Sequence, residues 1–291
     1  MSNAANFQTL LASKKMIVAP GAVDCITGRA IAHAGFSAVY MTGAGTSATL
    51  GYPDYGLITM SEMVGNAGRI VNSIDIPLIS DSDSDTGFGN ELNVFRTVQE
   101  FERVGVAAIH IEDQVFPKKC GHLDNKELVS REDFIAKIRA ASAARKSKDF
   151  CIIARTDSRA VAGLDEAIER ANAALANGAD VAFVEAPQTM AEIEAVPKRV
   201  KGPCLLNVVR GGKTPEIDLD VAERMGYAIA IVPGLLLGGI IQTCDRLLAD
   251  LKNGKFPPVS GSPGKTFARF GAAEWDERRT AFRDQVKAAA E

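Results

Sequence analysis

Four short segments of this 291-residue chain place acidic groups directly after a run of β-formers. They end at Asp81 and Asp83, at Glu112 and Asp113, at Asp157, and at Glu185. In each the apolar run stops where the charge begins. A carboxylate is costly inside an apolar core but is well placed at the C-terminal mouth of a parallel α/β protein, where active sites are built. The densest group is Asp81-Ser-Asp-Ser-Asp-Thr-Gly-Phe-Gly89. Alternate residues of a strand share a face, so Asp81, Asp83 and Asp85 can point together. Like charges at that spacing repel unless a proton or cation intervenes. Oxygen ligands without His or Cys neighbours suit Mg²⁺. The alternative is a solvated acidic turn, which Glu112 on the next strand argues against. Asp54, in Gly51-Tyr-Pro-Asp-Tyr-Gly56, is a further acidic candidate, or else an Asx turn after proline.

Phe116-Pro-Lys-Lys-Cys-Gly-His-Leu123 follows the fourth β-like run. Lys118, Lys119 and His122 beside Cys120 favour a thiolate or a poised thiol. Gly121 lets the segment bend, and a loop here is free to close over substrate. The competing reading is an exposed basic loop with an incidental cysteine. Anion-handling groups complete the set. Arg155 ends the fifth run, Asn207 lies in the seventh, and Arg210-Gly-Gly-Lys213 follows it. A guanidinium at this mouth suits a carboxylate ligand, or a structural pair with Glu185. Thr42-Gly-Ala-Gly45 can offer backbone N–H groups to an anion.

The elements that must position these residues are legible as periodicity. Strands are expected at Met16–Pro20, Ala38–Thr42, Pro77–Asp81, Ala107–Ile111, Cys151–Ala154, Val181–Val184, Cys204–Val208 and Ala228–Val232. Helical patterns lie between them, among them Leu92–Val104, Arg131–Ala144 and Leu164–Ala176. Eight strand–helix repeats imply an α/β fold of the (β/α)8 TIM-barrel type; a doubly wound open sheet is the alternative. The barrel domain is assigned to residues 1–258. A polar spacer and a charged helix near Phe267–Ala290 form an extension over 259–291. That helix packs on a neighbouring subunit, on its own barrel, or frays.

The net charge of −3 and pI near 5.8 argue against a nucleic-acid surface. No run of about 18 apolar residues suggests a membrane span, and the N-terminus lacks a signal-peptide pattern. The five cysteines are widely spaced with no Cys-x-x-Cys, which fits reduced thiols in a cytoplasmic protein.

From about Val18 to Pro233 the chain resembles the isocitrate lyase / phosphoenolpyruvate mutase superfamily. The motifs that carry the likeness are Asp85-Thr-Gly-Phe-Gly89 and Lys118-Lys-Cys-Gly-His122. The resemblance implies a (β/α)8 barrel whose last helix is swapped between subunits, in a homotetramer. It implies Mg²⁺, with Mn²⁺ as a substitute, held mainly by Asp83, with Asp54, Asp85 and Glu112 acting through water. It implies Cys120 as the acid, with Tyr40, His122 and Arg155 in the catalytic set. Thr42, Gly43, Ala44, Gly121, Arg155, Glu185, Asn207 and Arg210 are the implied substrate contacts, and His110 and Lys118 support the metal site or the loop. The Cys-Gly-His triplet favours carbon–carbon cleavage over phosphonate chemistry. Gly238, in Val232-Pro-Gly-Leu-Leu-Leu-Gly238, stands where the methylisocitrate branch has a carboxylate-gripping Arg. A small alkylmalate such as 2,3-dimethylmalate therefore fits better than a tricarboxylate, unless Arg210 restores the lost charge. The expected activity is a Mg²⁺-dependent lyase that cleaves a 2-hydroxy di- or tricarboxylate into an oxo acid and a carboxylate. An oxaloacetate decarboxylase or hydrolase and a phosphonomutase are the alternatives.

Overall fold

The computed structural model describes residues 2–82, 87–123, 125–258 and 261–288, with side chains through 285. Its eight strands are β1 (Ile17–Ala22), β2 (Val39–Met41), β3 (Leu78–Asp81), β4 (Ala108–Glu112), β5 (Cys151–Thr156), β6 (Val181–Val184), β7 (Cys204–Asn207) and β8 (Ile229–Val232). They close into a barrel in sequence order. Every pairing is parallel, and β1 meets β8 from Ile17 opposite Ile229 to Pro20 opposite Val232.

Strand alternation sorts the side chains into two environments. Val39, Met41, Leu78, Ile109, Ile111 and Ile152 pack outward against helices such as Met60–Val71, Glu91–Arg103 and Arg131–Ala144. Ile17, Tyr40, Ile79, Ala108, Ile153, Phe183, Leu205 and Ile229 fill the interior. Phe7, from the N-terminal helix Asn3–Ala12, is fully buried with the interior set and plugs the end where the strands begin. Two residues beyond each interior side chain, the same face reaches the opposite mouth. Tyr40 is thus followed by Thr42, Ile79 by Asp81, Ile153 by Arg155, Phe183 by Glu185, and Leu205 by Asn207. The polar mouth is a geometric continuation of the apolar core.

Seven of the eight strands start or end one or two residues from the sequence reading, and two differences matter here. β5 runs on through Thr156, so Arg155 lies inside the strand, paired with Glu112 and Phe183, instead of ending it. The tail is two helices, Pro263–Ala268 and Ala272–Ala288, not one. Gly271 adopts φ 79° directly before the second helix, and its carbonyl accepts the Trp275 N–H. Residues 1–239 and 240–291 form separate compact units. Among the described residues no helix is long and apolar enough to cross a membrane.

Candidate active site

Arg155 is the charge centre of the mouth. Its Nε lies 3.1 Å from Glu112 Oε2, 3.0 Å from Asp157 Oδ2 and 3.6 Å from Glu185 Oε2. Its guanidinium stacks over Phe183, 5.1 Å from the ring centroid. These four side chains are buried. Burial alone would drive the Asp157 carboxyl upward, but Arg155 and Lys126 outweigh it and hold the group well below the usual carboxylate range. Glu185 behaves alike: burial raises it, while Arg155 and a bond from His122 bring it below its ordinary value. Tyr40 shares a 2.8 Å hydrogen bond with His110 Nε2 and stacks on that ring.

Glu185 is also where three segments meet. It takes His122 Nε2 at 3.0 Å from the cysteine loop and both Asn207 Nδ2 contacts, at 3.2 and 3.3 Å, from β7. The Asn207 amide is therefore oriented by the carboxylate. Its Oδ1 is buried with no partner among the described residues, an acceptor on the wall of the cavity. His122 Nδ1 accepts the backbone N–H of Lys213 at 3.0 Å. Nδ1 is thus occupied as an acceptor, and Nε2 faces Glu185. These two contacts tie the His122 ring to Lys213 and Glu185. Gly121 permits the close fit: a Cβ there would lie 2.5 Å from Arg155 Nη2 and 2.6 Å from Glu185 Cγ.

The cysteine is not poised as the sequence suggested. Lys118 pairs with Asp54 at 2.8 Å, and Lys119 Nζ reaches the Asn125 carbonyl at 3.4 Å. With those charges engaged, burial pushes the Cys120 thiol above its ordinary value, and Asp54 and Glu185 add to the rise. A bond from the His122 backbone N–H and the Lys118 charge offset it only in part. The environment of Cys120 therefore favours the thiol over the thiolate.

The metal side of the site is described in part, because Asp83 and Asp85 lie outside the described residues. Asp81 Oδ2 accepts the Gly43 N–H at 3.0 Å, while its buried Oδ1 has no partner among the described residues. Asp54 and Asp81 line one cavity. Among the described residues no group of three His, Cys, Asp or Glu gathers as a metal cluster. A buried, unpartnered carboxylate oxygen fits a hard divalent cation. Glu112 faces Arg155 from within the barrel and is fully buried. The Thr42–Gly45 turn differs from expectation. Thr42 caps the helix Gly43–Thr49, Gly45 N–H bonds Thr42 Oγ1, and Gly43 N–H holds the protein's own Asp81. Thr42 and Ala44 line the cavity.

Arg210 does not join the site. Its exposed side chain contacts Glu216 at 3.5 Å, in a surface hollow shared with Pro215 and Asp218. The cavity wall beyond β7 and β8 is Val209, Pro233, Gly234 and Leu237, with no cation. Gly21 lets β1 close against this wall, since a Cβ there would sit 2.2 Å from the Pro233 carbonyl oxygen.

Sequence reasoning missed a supporting layer. Asp113 accepts the Asp157 N–H at 2.8 Å and the Thr156 hydroxyl at 2.6 Å, and pairs with Arg170 at 3.1 Å. Burial, then the Asp157 charge, pushes Asp113 up to about 6 against those bonds. Lys126 pairs with Asp157 at 2.6 Å. Asp113 and Asp157 stood among the acids at strand ends, but nothing local marks Lys126 or Arg170 as their partners.

A family model described as phosphoenolpyruvate phosphomutase matches residues 7–252. The chain is 50% identical over 234 residues to a 2,3-dimethylmalate lyase of Eubacterium barkeri, covering 80% of each. It is 42% identical to a 2-methylisocitrate lyase of Aeropyrum pernix, covering 83% of this chain and 77% of that one. Among solved structures, oxaloacetate acetylhydrolase with 3,3-difluorooxalacetate superposes with a TM-score of 0.92 at 36% identity, covering 96% of this chain and 97% of that one. Phosphonopyruvate hydrolase with oxalate and Mg²⁺ superposes with a TM-score of 0.84 at 30% identity, covering 97% and 98%.

The raised thiol makes a direct expectation. Only the thiolate is alkylated, and a raised pKa leaves less of it at any given pH. The iodoacetamide reaction at Cys120, followed by peptide mapping, should reach its midpoint above the ~8.5 of an unperturbed thiol. A midpoint at or below that value would contradict the protonated assignment.

Proposed function

The chain belongs to the phosphoenolpyruvate mutase / isocitrate lyase superfamily as one of its lyases, and on that premise we propose that it splits the C2–C3 bond of an alkyl-substituted malate. A substrate such as 2,3-dimethylmalate would yield pyruvate and a carboxylate. The observation that carries this reading is Cys120 on the lining of a cavity with one charged wall and one apolar wall, where burial favours its thiol form. The charged wall suits a carboxylate. The apolar wall of Val209, Pro233, Gly234 and Leu237 suits an alkyl group and offers a third carboxylate no cation. With Arg210 out on the surface, the methylisocitrate reading loses its substitute charge.

In this mechanism the C2 hydroxyl gives up its proton to a base, for which Tyr40, on the cavity wall and bonded to His110, is the candidate. The C2–C3 bond then breaks, and its electron pair passes to C3 and into the adjoining carboxylate. Cys120 delivers its thiol proton to C3, and the proton taken from the hydroxyl restores the thiol. Arg155 and Asn207 stabilise the charge that develops on the carboxylate oxygens. Asp83, with Asp54, Asp85 and Glu112 through water, would hold Mg²⁺ or Mn²⁺, and the bound cation would offset the charge on the 2-carboxylate and hydroxyl oxygens. Cleavage should therefore stop in excess EDTA and return with Mg²⁺; full turnover under chelation would remove the metal from the mechanism.

The high structural similarity to an oxaloacetate acetylhydrolase supports a second reading on the same residues. Products separate the two: pyruvate from alkylmalates against oxalate and acetate from oxaloacetate. The lyase needs a placed acid, so Cys120→Ser should lower kcat on the best alkylmalate by about 10²–10⁴-fold. A loss under about threefold, with oxalate released from oxaloacetate, would put the hydrolase first.

The reading extends to assembly as a homo-oligomer through the C-terminal unit. Ile241, Leu248, Phe256, Phe267, Trp275 and Phe282 are exposed there, an apolar inventory that subunit contact would cover. A chain ending at Pro258 should sediment as a smaller species than the full chain, and an unchanged oligomer would refute the assignment.

A further inference from the structure

Lys126 is a buried ammonium that neither the metal site nor the thiol chemistry uses. A charge in that position needs fixed partners, and it has two. It donates to the Gly121 carbonyl oxygen and lies 2.6 Å from Asp157 Oδ1. The other oxygen of the same carboxylate accepts Arg155 Nε at 3.0 Å. One carboxylate thus lies between the loop's lysine and the guanidinium at the centre of the site. Asp157 is itself fixed, since its backbone N–H bonds Asp113 at 2.8 Å.

The position of Lys126 along the loop matters as much as its partners. The segment begins and ends in a small antiparallel base, where Val115 N–H bonds the Glu127 carbonyl at 2.8 Å and Gln114 bridges Leu128. Lys126 adjoins that base. Gly121 stands at the tip, between Cys120 and His122. The ammonium therefore ties the tip back to the anchored stem and, through Asp157, to the barrel mouth. Gly121 lies against Arg155 and Glu185 so closely that a methyl group would not fit, so the tip needs a restraint along its backbone as well as through the His122 side chain. A charge-assisted bond to a carbonyl is a strong one.

We propose that Lys126 is a positioning residue that sets the Cys120–Gly121–His122 backbone at its working distance from Arg155, acting through Asp157. The effect on turnover rests on the lyase reading, whereas the effect on loop placement does not. Two measurements keep them distinct. In ligand-free protein, Lys126→Met should raise the iodoacetamide rate at Cys120 about tenfold or more, with the rates at Cys25 and Cys244 unchanged. With the best alkylmalate, kcat should fall about 10²-fold, the scale of a misplacement of about 1 Å, while KM moves less than threefold. Lys126→Arg keeps the charge on Asp157 but presents a planar fork in place of a tetrahedral ammonium. It should fold even if the methionine variant does not, and should show a smaller rise at Cys120, about threefold. An unchanged Cys120 rate in a folded variant would overturn the proposal. So would an equal rise at all three cysteines, which would mark general loosening instead of a freed loop tip.

Discussion

The burial of the Arg155 guanidinium is the constraint to which the rest of this site answers. A cation inside a barrel must be surrounded by acceptors or the fold does not hold it. Here Glu112, Asp157 and Glu185 lie around one nitrogen, and each comes from a different strand end. Those carboxylates in turn need partners beyond Arg155. Asp157 recruits Lys126, and Glu185 recruits His122 and Asn207. Asp113 and Arg170 brace the backbone of Asp157 from outside. Removing one member of such a set leaves an uncompensated buried charge, which typically costs about 3–5 kcal/mol. The cysteine loop is held by the same set, so stability and catalytic geometry share their residues.

The thiol shows how a shared motif can mislead about charge. Two lysines and a histidine flank Cys120 in sequence, and proximity of that kind favours a thiolate. In the folded chain Lys118 is committed to Asp54, and His122 Nδ1 is taken up by a backbone N–H. What Cys120 meets is burial and two carboxylates, and both favour the protonated form. The proposed proton donor to a carbanion must hold its proton until the carbon needs it, and this environment suits that proposal.

In the proposed function, substrate choice rests on the far wall. A hydrophobic surface distinguishes weakly between alkyl groups but strongly rejects an unpaired carboxylate. Val209, Pro233, Gly234 and Leu237 form that surface, and the nearest cation suggested by sequence, Arg210, turns outward to Glu216. The similarity to both a dimethylmalate lyase and an oxaloacetate acetylhydrolase is consistent with one catalytic rung serving different carboxylates.

Much of this was legible before any coordinates. Eight apolar runs ending in polar residues predict eight strands and a reactive mouth, and β6 and the helices Arg131–Ala144 and Leu164–Ala176 agree to the residue. Period-two alternation explains why: an interior Ile153 or Phe183 obliges Arg155 or Glu185 to face the same way two residues later. The helix break at Gly271 was missed because a lone glycine in a polar helical pattern is a weak stop signal. The pairings were beyond sequence altogether. Lys126 meets Asp157 and Arg170 meets Asp113 across separations of 31 and 57 residues, Arg210 turns away, and Cys120 gains a proton-holding environment. Residue types and periodicity settle which side chains reach the mouth, because they depend on neighbours in the chain. Which charges neutralise one another, and hence which groups hold protons, depends on distances of a few ångströms between segments far apart in sequence, and only the closed barrel decides those.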